Sequence, residues 1–295
     1  MAKQIAFFVQ FPHPGGEHNP PINGMPWNTG DHRRKFLIVP GRYVDGDGLP
    51  GEAELVFWGE WEPPSRLEQR WSASGRLPRA LHRPYWAEPS NVGFRQNTDP
   101  WVFGDTMIYS NCRQSTPGSH RPNSMQRLNR GSVICFGSTI EGEYCIDTVF
   151  VVASASPWVP AKATNLKVDD VFRTCTVDAL MTGDQNQHRP LTLYHGATFD
   201  NRVEGMFSFV PVLRADADNP RFPRPSITLP GLIDPSIWRN AWGSRRQLPI
   251  DTVRNAWEKI REQVFRRDLC LGVAFRTPNR EADAVAIPKS PRRRC

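Results

Sequence analysis

The sequence predicts a mixed α+β protein: a mostly β core sheet with flanking helices in a single compact domain over residues 1–287, followed by a basic tail at 288–295. Three observations predict it. The 28 Pro and 22 Gly, set against 39% hydrophobic residues, describe many short elements joined by turns and not a helical bundle. Apolar runs of strand length recur between those turns, while two stretches carry helical spacing. No internal repeat, heptad or low-complexity linker divides the 295 residues, a length that supports a sizeable core.

Taken in order, Ile5 to Phe11 is an apolar run stopped by Pro12. Lys35 to Tyr43 alternates loosely up to the turn Asp45-Gly46-Asp47-Gly48, which leads into Glu52 to Trp61. These are three early strands. Ser132 to Ser138 and Tyr144 to Ala153, separated by Glu141-Gly142-Glu143, read as a buried hairpin. Val168 to Leu180 sets Val171, Phe172, Cys175 and Ala179 at helical spacing; Asp251 to Asp268 does the same with Val253, Ala256, Trp257, Ile260, Val264 and Phe265. Later strands are expected over Thr192 to His195, Met206 to Val212 and Leu269 to Phe275. The tail from Pro288 to Cys295 is expected to be disordered, with phosphate contact as its alternative role.

The net charge is +7 and the pI near 9.3. Only six of the 37 basic residues are Lys, which leaves 31 Arg. Guanidinium groups pair bidentately with phosphate and guanine edges and stack on bases, so a nucleic-acid partner, DNA in the first instance, is the expectation. A GC-rich genome would raise Arg for no structural reason. Six cysteines without a C-x-x-C pair, and no charged-then-apolar leader, suggest free thiols in a cytoplasmic setting. No apolar run reaches the roughly 18 to 20 residues of a membrane span.

Four stretches crowd polar and aromatic residues together without strand or helix periodicity. The first is the Pro/Gly loop His13 to His18 with Trp27 and the cluster His32-Arg33-Arg34-Lys35, whose cationic groups suit phosphate. His13, Glu17 and His18 lack the spacing of zinc sites, so neither a metal nor another cofactor is expected. An ordinary solvated turn explains the charged run equally well. The second is Trp58-Gly59-Glu60-Trp61-Glu62, two indoles for stacking and two acids for proton chemistry; alternation would place Trp58, Glu60 and Glu62 on one face. An amphipathic edge strand with Glu–Arg pairs is the bland account. The third, and the most site-like, joins Asn97, Asp99, Trp101 and Tyr109 to Asn111, Cys112, Arg113 and Gln114, a mixture suited to an aromatic-walled pocket that reads a heterocycle; Thr-Asp-Pro is also an ordinary turn. The fourth, Tyr194-His195-Gly196, bears a three-position likeness to the opening strand of ADP-ribosyltransferases, set against a buried Tyr–His pair in a sheet.

The blocks Asn97 to Gly104, Tyr109 to Gln114, Gly131 to Ser138, Asp147 to Val152 and Leu193 to Thr198 together resemble a group of little-described prokaryotic proteins associated with nucleotide modification and phage defence. The resemblance implies a bacterial DNA-base enzyme, such as an antiviral DNA glycosylase that removes modified bases. Asn97-Thr-Asp-Pro-Trp101 echoes the water-activating loop of uracil glycosylases, whose His-Pro-Ser loop has no counterpart here.

Residue chemistry gives the expected mechanism. Cleaving an N-glycosidic bond builds positive charge on the sugar, so a carboxylate must stabilise it or orient water. Asp99 is the first choice, with Glu60 and Glu62 as alternatives. A flipped base would rest against Trp101, Tyr109 or Trp58 and bond through Asn97, Asn111, Arg113 or Gln114, while His32, Arg33, Arg34 and Lys35 grip flanking phosphates. An ADP-ribosyltransferase-like enzyme and a non-catalytic reader of modified nucleic acid are the alternatives.

Overall fold

In the computed structural model, which describes residues 4–19, 26–30, 32–72, 75–88, 93–116, 121–182, 188–237 and 245–281, the chain builds two six-stranded sheets. The early strands are β1 (Ile5–Pro12), β2 (Lys35–Val44) and β3 (Pro50–Gly59), followed by β4 (Ser65–Arg70), β5 (Ala80–Pro84) and the short β6 (Ile108–Tyr109). The hairpin follows as β7 (Val133–Ile140) and β8 (Glu143–Trp158). A helical stretch comes next, in which α1 (Asp170–Phe172) passes through a π-helical turn (Arg173–Asp178) into α2 (Ala179–Met181). The chain then adds β9 (Leu191–Gly196), β10 (Val210–Arg214), β11 (Arg245–Pro249), α3 (Ile250–Phe265) and β12 (Cys270–Phe275).

The first sheet runs β11-β1-β7-β8-β9-β6, with β1 and β7 parallel and the other pairs antiparallel. The second runs β12-β10-β3-β2-β5-β4, and because β12 also pairs with β2, the strands β2, β3, β10 and β12 close on themselves. Closure removes the free edges these four would otherwise expose. β1 shows why its sequence is an unbroken apolar run: Phe7, Val9 and Phe11 enter one core with Leu37, Phe57 and Phe136, while Ala6 and Phe8 enter a second with Phe36, Val56 and Trp257. Alternation sends successive side chains to opposite faces, and here both faces are covered.

The expected hairpin is present and turns at Glu141 and Gly142, both at positive φ (51° and 82°), the conformation a two-residue turn requires. The Asp45 turn holds as well, its carboxylate accepting N–H from Asp47 and Leu49. The expected flanking helices are corrected: strands take 40% of the chain and helix 15%, so the molecule is mostly β, in two sheets instead of one. Helix α3 buries Val253, Trp257, Ile260 and Val264 in the second core, and the 170–181 stretch buries Phe172, Cys175 and Leu180 in the first, but neither forms a layer. The described cysteines Cys112, Cys135, Cys145, Cys175 and Cys270 are free thiols. Among the described residues no helix is long and apolar enough to cross a membrane. The basic tail at 288–295 lies outside the described residues.

Candidate active site

Pairing of β2 with β3 assembles the centre of the site. The antiparallel register sets Lys35 opposite Gly59, so one step beyond the ladder Arg34 meets Glu60. Arg34 Nη1 lies 2.9 Å from Glu60 Oε2, and its Nε lies 2.5 Å from Asp147 Oδ2 on β8. The guanidinium also contacts His13 Nδ1 at the end of β1, so this one buried cation ties the two sheets together. A charge this far from water persists only because two carboxylates surround it.

Glu60 is buried, and its Oε1 accepts the Asp99 N–H at 3.2 Å. Burial pushes its pKa up to about 7, the charge of Glu62 adding to the effect while Arg34 and His32 oppose it. Glu62 is fully buried; its carboxylate lies 3.0 Å from His32 Nδ1 and accepts the Asn28 side-chain amide. His32, whose side chain is 42% exposed, is the group of this cluster that meets solvent. Burial works against its charge, but the bond to Glu62 and the charges of Glu60 and Glu62 outweigh it and hold its pKa at about 9. At neutral pH the cluster therefore holds a protonated imidazole above a carboxylate poised to titrate. Donor atoms of His32, Glu60 and Glu62 all lie within 4.8 Å of one another, the one such group among the described residues with the spacing of a metal site. His13, Glu17 and His18, in contrast, diverge: Glu17 accepts backbone N–H from Arg79 and Ala80, and His18 lies 3.2 Å from the Asn28 amide, its pKa driven down to about 3 by burial.

The Asp99 loop stands beside this centre and is built differently. Asp99 accepts N–H from Ser110 (2.8 Å), Asn111 (3.0 Å) and Cys112 (2.6 Å), and the Ser110 hydroxyl at 3.2 Å. Both oxygens are thus engaged by the loop they hold, although burial still pushes the pKa up to about 6. Thr98 is clamped to the π-helical turn through its N–H to Cys175 O and the Thr176 hydroxyl to its own carbonyl. Sequence order makes Asp99 look like a reacting group; the hydrogen bonds make it a loop anchor.

The remaining expected site residues separate by burial. Trp58, Trp101 and Tyr109 lie in the cores: the Trp58 indole donates to Phe222 O, Trp101 packs on Trp61 and Phe172, and Tyr109 stacks on Tyr194. None turns a ring face outward. Asn97 donates to Asn111, Asn111 to Ser110, and Gln114 exchanges two bonds with the Thr192 backbone, which uses three of the expected base-reading amides for the fold. Tyr194 is core as well, its hydroxyl donating to Met125 O. In the basic run, His32 and Arg33 reach solvent, whereas Arg34 and Lys35 are buried by entry into β2 and are not phosphate grips. Lys35 Nζ donates to Pro63 O, and burial brings its pKa down to about 7.

Asp147, Asn28 and Arg224 complete the site unannounced by any motif. Arg224 donates to Gly15 O, Gly16 O and Ser138 Oγ, fixing the loop that carries His13. Asp147 had a legible signal, an acid within the buried run Tyr144 to Ala153, where carboxylates occur only when paired. Comparison with protein-family models, curated proteins and solved structures finds no match for this chain.

Proposed function

We propose that this chain hydrolyses N-glycosidic bonds in nucleic acid, as a DNA glycosylase acting on a modified base in antiviral defence, with Glu60 as the reacting carboxylate. The observation that carries the reading is the Glu60–His32–Glu62 arrangement, a buried carboxylate with its pKa at about 7 beside a half-exposed imidazolium. Ionised Glu60, backed by Arg34, orients water, stabilises positive charge growing on the sugar and takes the proton that the water loses on forming its bond to the sugar carbon. Protonated His32, held by Glu62, donates to the departing base. The +7 net charge and the Arg bias support a polyanionic substrate.

The test is incubation of the purified chain with DNA carrying normal, hydroxymethylated or glucosylated cytosine, then mild alkali and a denaturing gel. Cleavage at one modified base, lost in Glu60→Gln, supports the reading. Intact strands under conditions where the protein binds them overturn it and bring the reader or the transferase forward.

The 4.8 Å grouping of His32, Glu60 and Glu62 favours a second reading, a divalent metal that activates the water instead. Its check is calorimetric titration with Zn²⁺ and Mn²⁺: tight binding lost in His32→Ala supports it. Arg34, 2.9 Å from Glu60, already brings positive charge there, which places this reading second.

A further inference from the structure

The loop after β1 is clamped against the start of β2. Arg34 N–H donates to Gly16 O and His18 N–H to Arg34 O, and Arg224 adds bonds to Gly15 O and Gly16 O. Along this loop lies the exposed Arg33, so close to Gly16 that an added Cβ there would stand 3.4 Å from its Cγ. Glu17, the next residue, reaches across to the start of β5, where its Oε1 accepts the Arg79 N–H at 2.7 Å and the Ala80 N–H at 3.3 Å. Arg79 is exposed and stands opposite Trp71 one step beyond the β4–β5 ladder, its carbonyl accepting the Trp71 N–H. Opposite residues share a face, so Arg79 and Trp71 leave the strands on the same side. The Arg221 guanidinium lies over the Trp71 ring at 5.1 Å, and its neighbour Phe222 is pinned by the Trp58 indole. Arg33, Arg79 and Arg221 thus follow one another over the surface, beginning beside His32, the group of the carboxylate cluster that meets solvent.

Arg79 and Arg221 are placed by a backbone pair and an indole, groups that leave a guanidinium its charge. Among the described residues no carboxylate forms an ion pair with either, in contrast to Arg76, Arg83 and Arg214, which are paired with Glu143, Glu54 and Asp216. Glu17, the acid between them, is turned to backbone N–H groups. We propose that Arg33, Arg79 and Arg221 form a track for the phosphate backbone of DNA, leading the strand to the carboxylate cluster. A guanidinium matches two phosphate oxygens at once, and one already resting on an indole loses little freedom in doing so. Trp71 is half-buried, with Arg221 over its face and Phe36 beside it, so it holds the cation and does not stack a base. The track therefore positions DNA without reading its sequence. It rests on the reading of a nucleic-acid substrate, and it supplies the phosphate contacts that the buried Arg34 and Lys35 do not make.

The test uses the full chain and two fluorescent probes of one sequence, a short unmodified duplex and its single strand, followed by anisotropy across a salt series. Arg33→Gln, Arg79→Gln and Arg221→Gln should each bind both probes about fivefold more weakly, with a salt slope smaller by about one. Arg42→Gln removes the same charge at the far end of β2 and should bind like wild type. Arg79 is exposed, so Arg79→Gln should melt at the wild-type temperature. Losses no greater than that of Arg42→Gln overturn the track, and so does weak binding in Arg79→Gln that only follows a lower melting temperature. Polyglutamate that displaces the probe as well as unlabelled DNA of equal charge overturns the phosphate assignment. Weak binding in the three variants, with no cleavage of any modified DNA by wild type, leaves the track standing and removes the glycosylase reading. Cleavage by wild type, with the three variants binding undiminished, does the reverse.

Discussion

Two buried carboxylate centres lie side by side in this molecule, joined by the Asp99 N–H that donates to Glu60, and they are satisfied in opposite ways. Asp99 is surrounded by backbone N–H groups and one hydroxyl, donors that do not change protonation state. Glu60 and Glu62 are surrounded by side chains, Arg34, His32 and Asn28, of which His32, with its pKa at about 9, stays protonated at neutral pH and meets solvent. The difference teaches how to tell a structural acid from a reactive one. A carboxylate whose lone pairs are consumed by fixed backbone dipoles shapes a loop, whereas one held by a movable charge can exchange a proton with what binds there.

The largest effect expected to test this contrast comes from Glu60→Gln. It keeps the shape of the side chain and removes the titrating group, so cleavage per folded molecule should fall about 10³-fold, while loss of one of the two carboxylates around Arg34 lowers the melting temperature by a few degrees. A rate within a factor of three of wild type would make Glu60 another structural acid. Next comes Asp99→Asn. One oxygen accepts from Ser110 and the other from Asn111 and Cys112, so whichever way the new amide turns, its NH₂ meets a backbone N–H. A stability loss of about 3 kcal/mol is expected from the buried donors left unpaired. That corresponds to a fall of roughly 5 °C in melting temperature. Activity per folded molecule should drop far less than in Glu60→Gln; the opposite ranking would return Asp99 to the chemistry.

How much of this was legible follows from the same contrast. The strands carrying the site, β1, β2, β3, β7 and β8, are apolar runs or loose alternations between Gly and Pro turns, and the sequence pattern places them within a few residues. The edge strand β11 is Arg-Arg-Gln-Leu-Pro and β4 is Ser-Arg-Leu-Glu-Gln-Arg; edge strands bury little, so neither has a pattern to read. Glu60, Glu62 and His32 were legible as residue types worth watching. That Asp99 would be saturated was not, because its donors are the backbone amides of residues 110 to 112, invisible in side-chain chemistry. Arg34 and Lys35 were misread as surface cations because charge in sequence suggests exposure, while the β2–β3 register carries both inside.

A smaller effect is expected at the link between the sheets and His13. Gly137 sits at a register shift between β7 and β8, where an added Cβ would stand 2.3 Å from the Cys145 carbonyl oxygen. Its own carbonyl accepts the His13 N–H. Gly137→Ala must therefore move β7 against β8 and loosen the His13 end of the cluster, with a stability loss of about 2 kcal/mol. Melting curves check the loss; a wild-type melting temperature would show that β7 shifts without resistance.

The mildest test changes no residue. Reaction requires Glu60 ionised and His32 protonated, so cleavage should rise about tenfold per unit up to pH about 7, hold a plateau, and decline above about 9. Stability runs against the first limb. The pKa of Glu60 is raised from 4.5 to about 7 in the fold, so its contribution to stability is full below 4.5 and disappears as pH climbs through about 7. His32 is raised from 6.5 to about 9, so its contribution is full below 6.5 and disappears as pH climbs through about 9. Asp99 moves the same way but lower, from 3.8 to about 6, so most of its change is complete before cleavage reaches its plateau. Between pH 6 and 7.5 Glu60 and His32 should thus withdraw stability as activity rises, against the opposite change from His18 and His82, which the fold keeps neutral down to about pH 3. Glu60→Gln should turn the slope of the melting-temperature profile upward in that interval, while Asp99→Asn should leave its slope there nearly intact. A slope turned upward by Asp99→Asn instead would mean that the loop carboxylate, and not the one beside Arg34, carries the titration of the site.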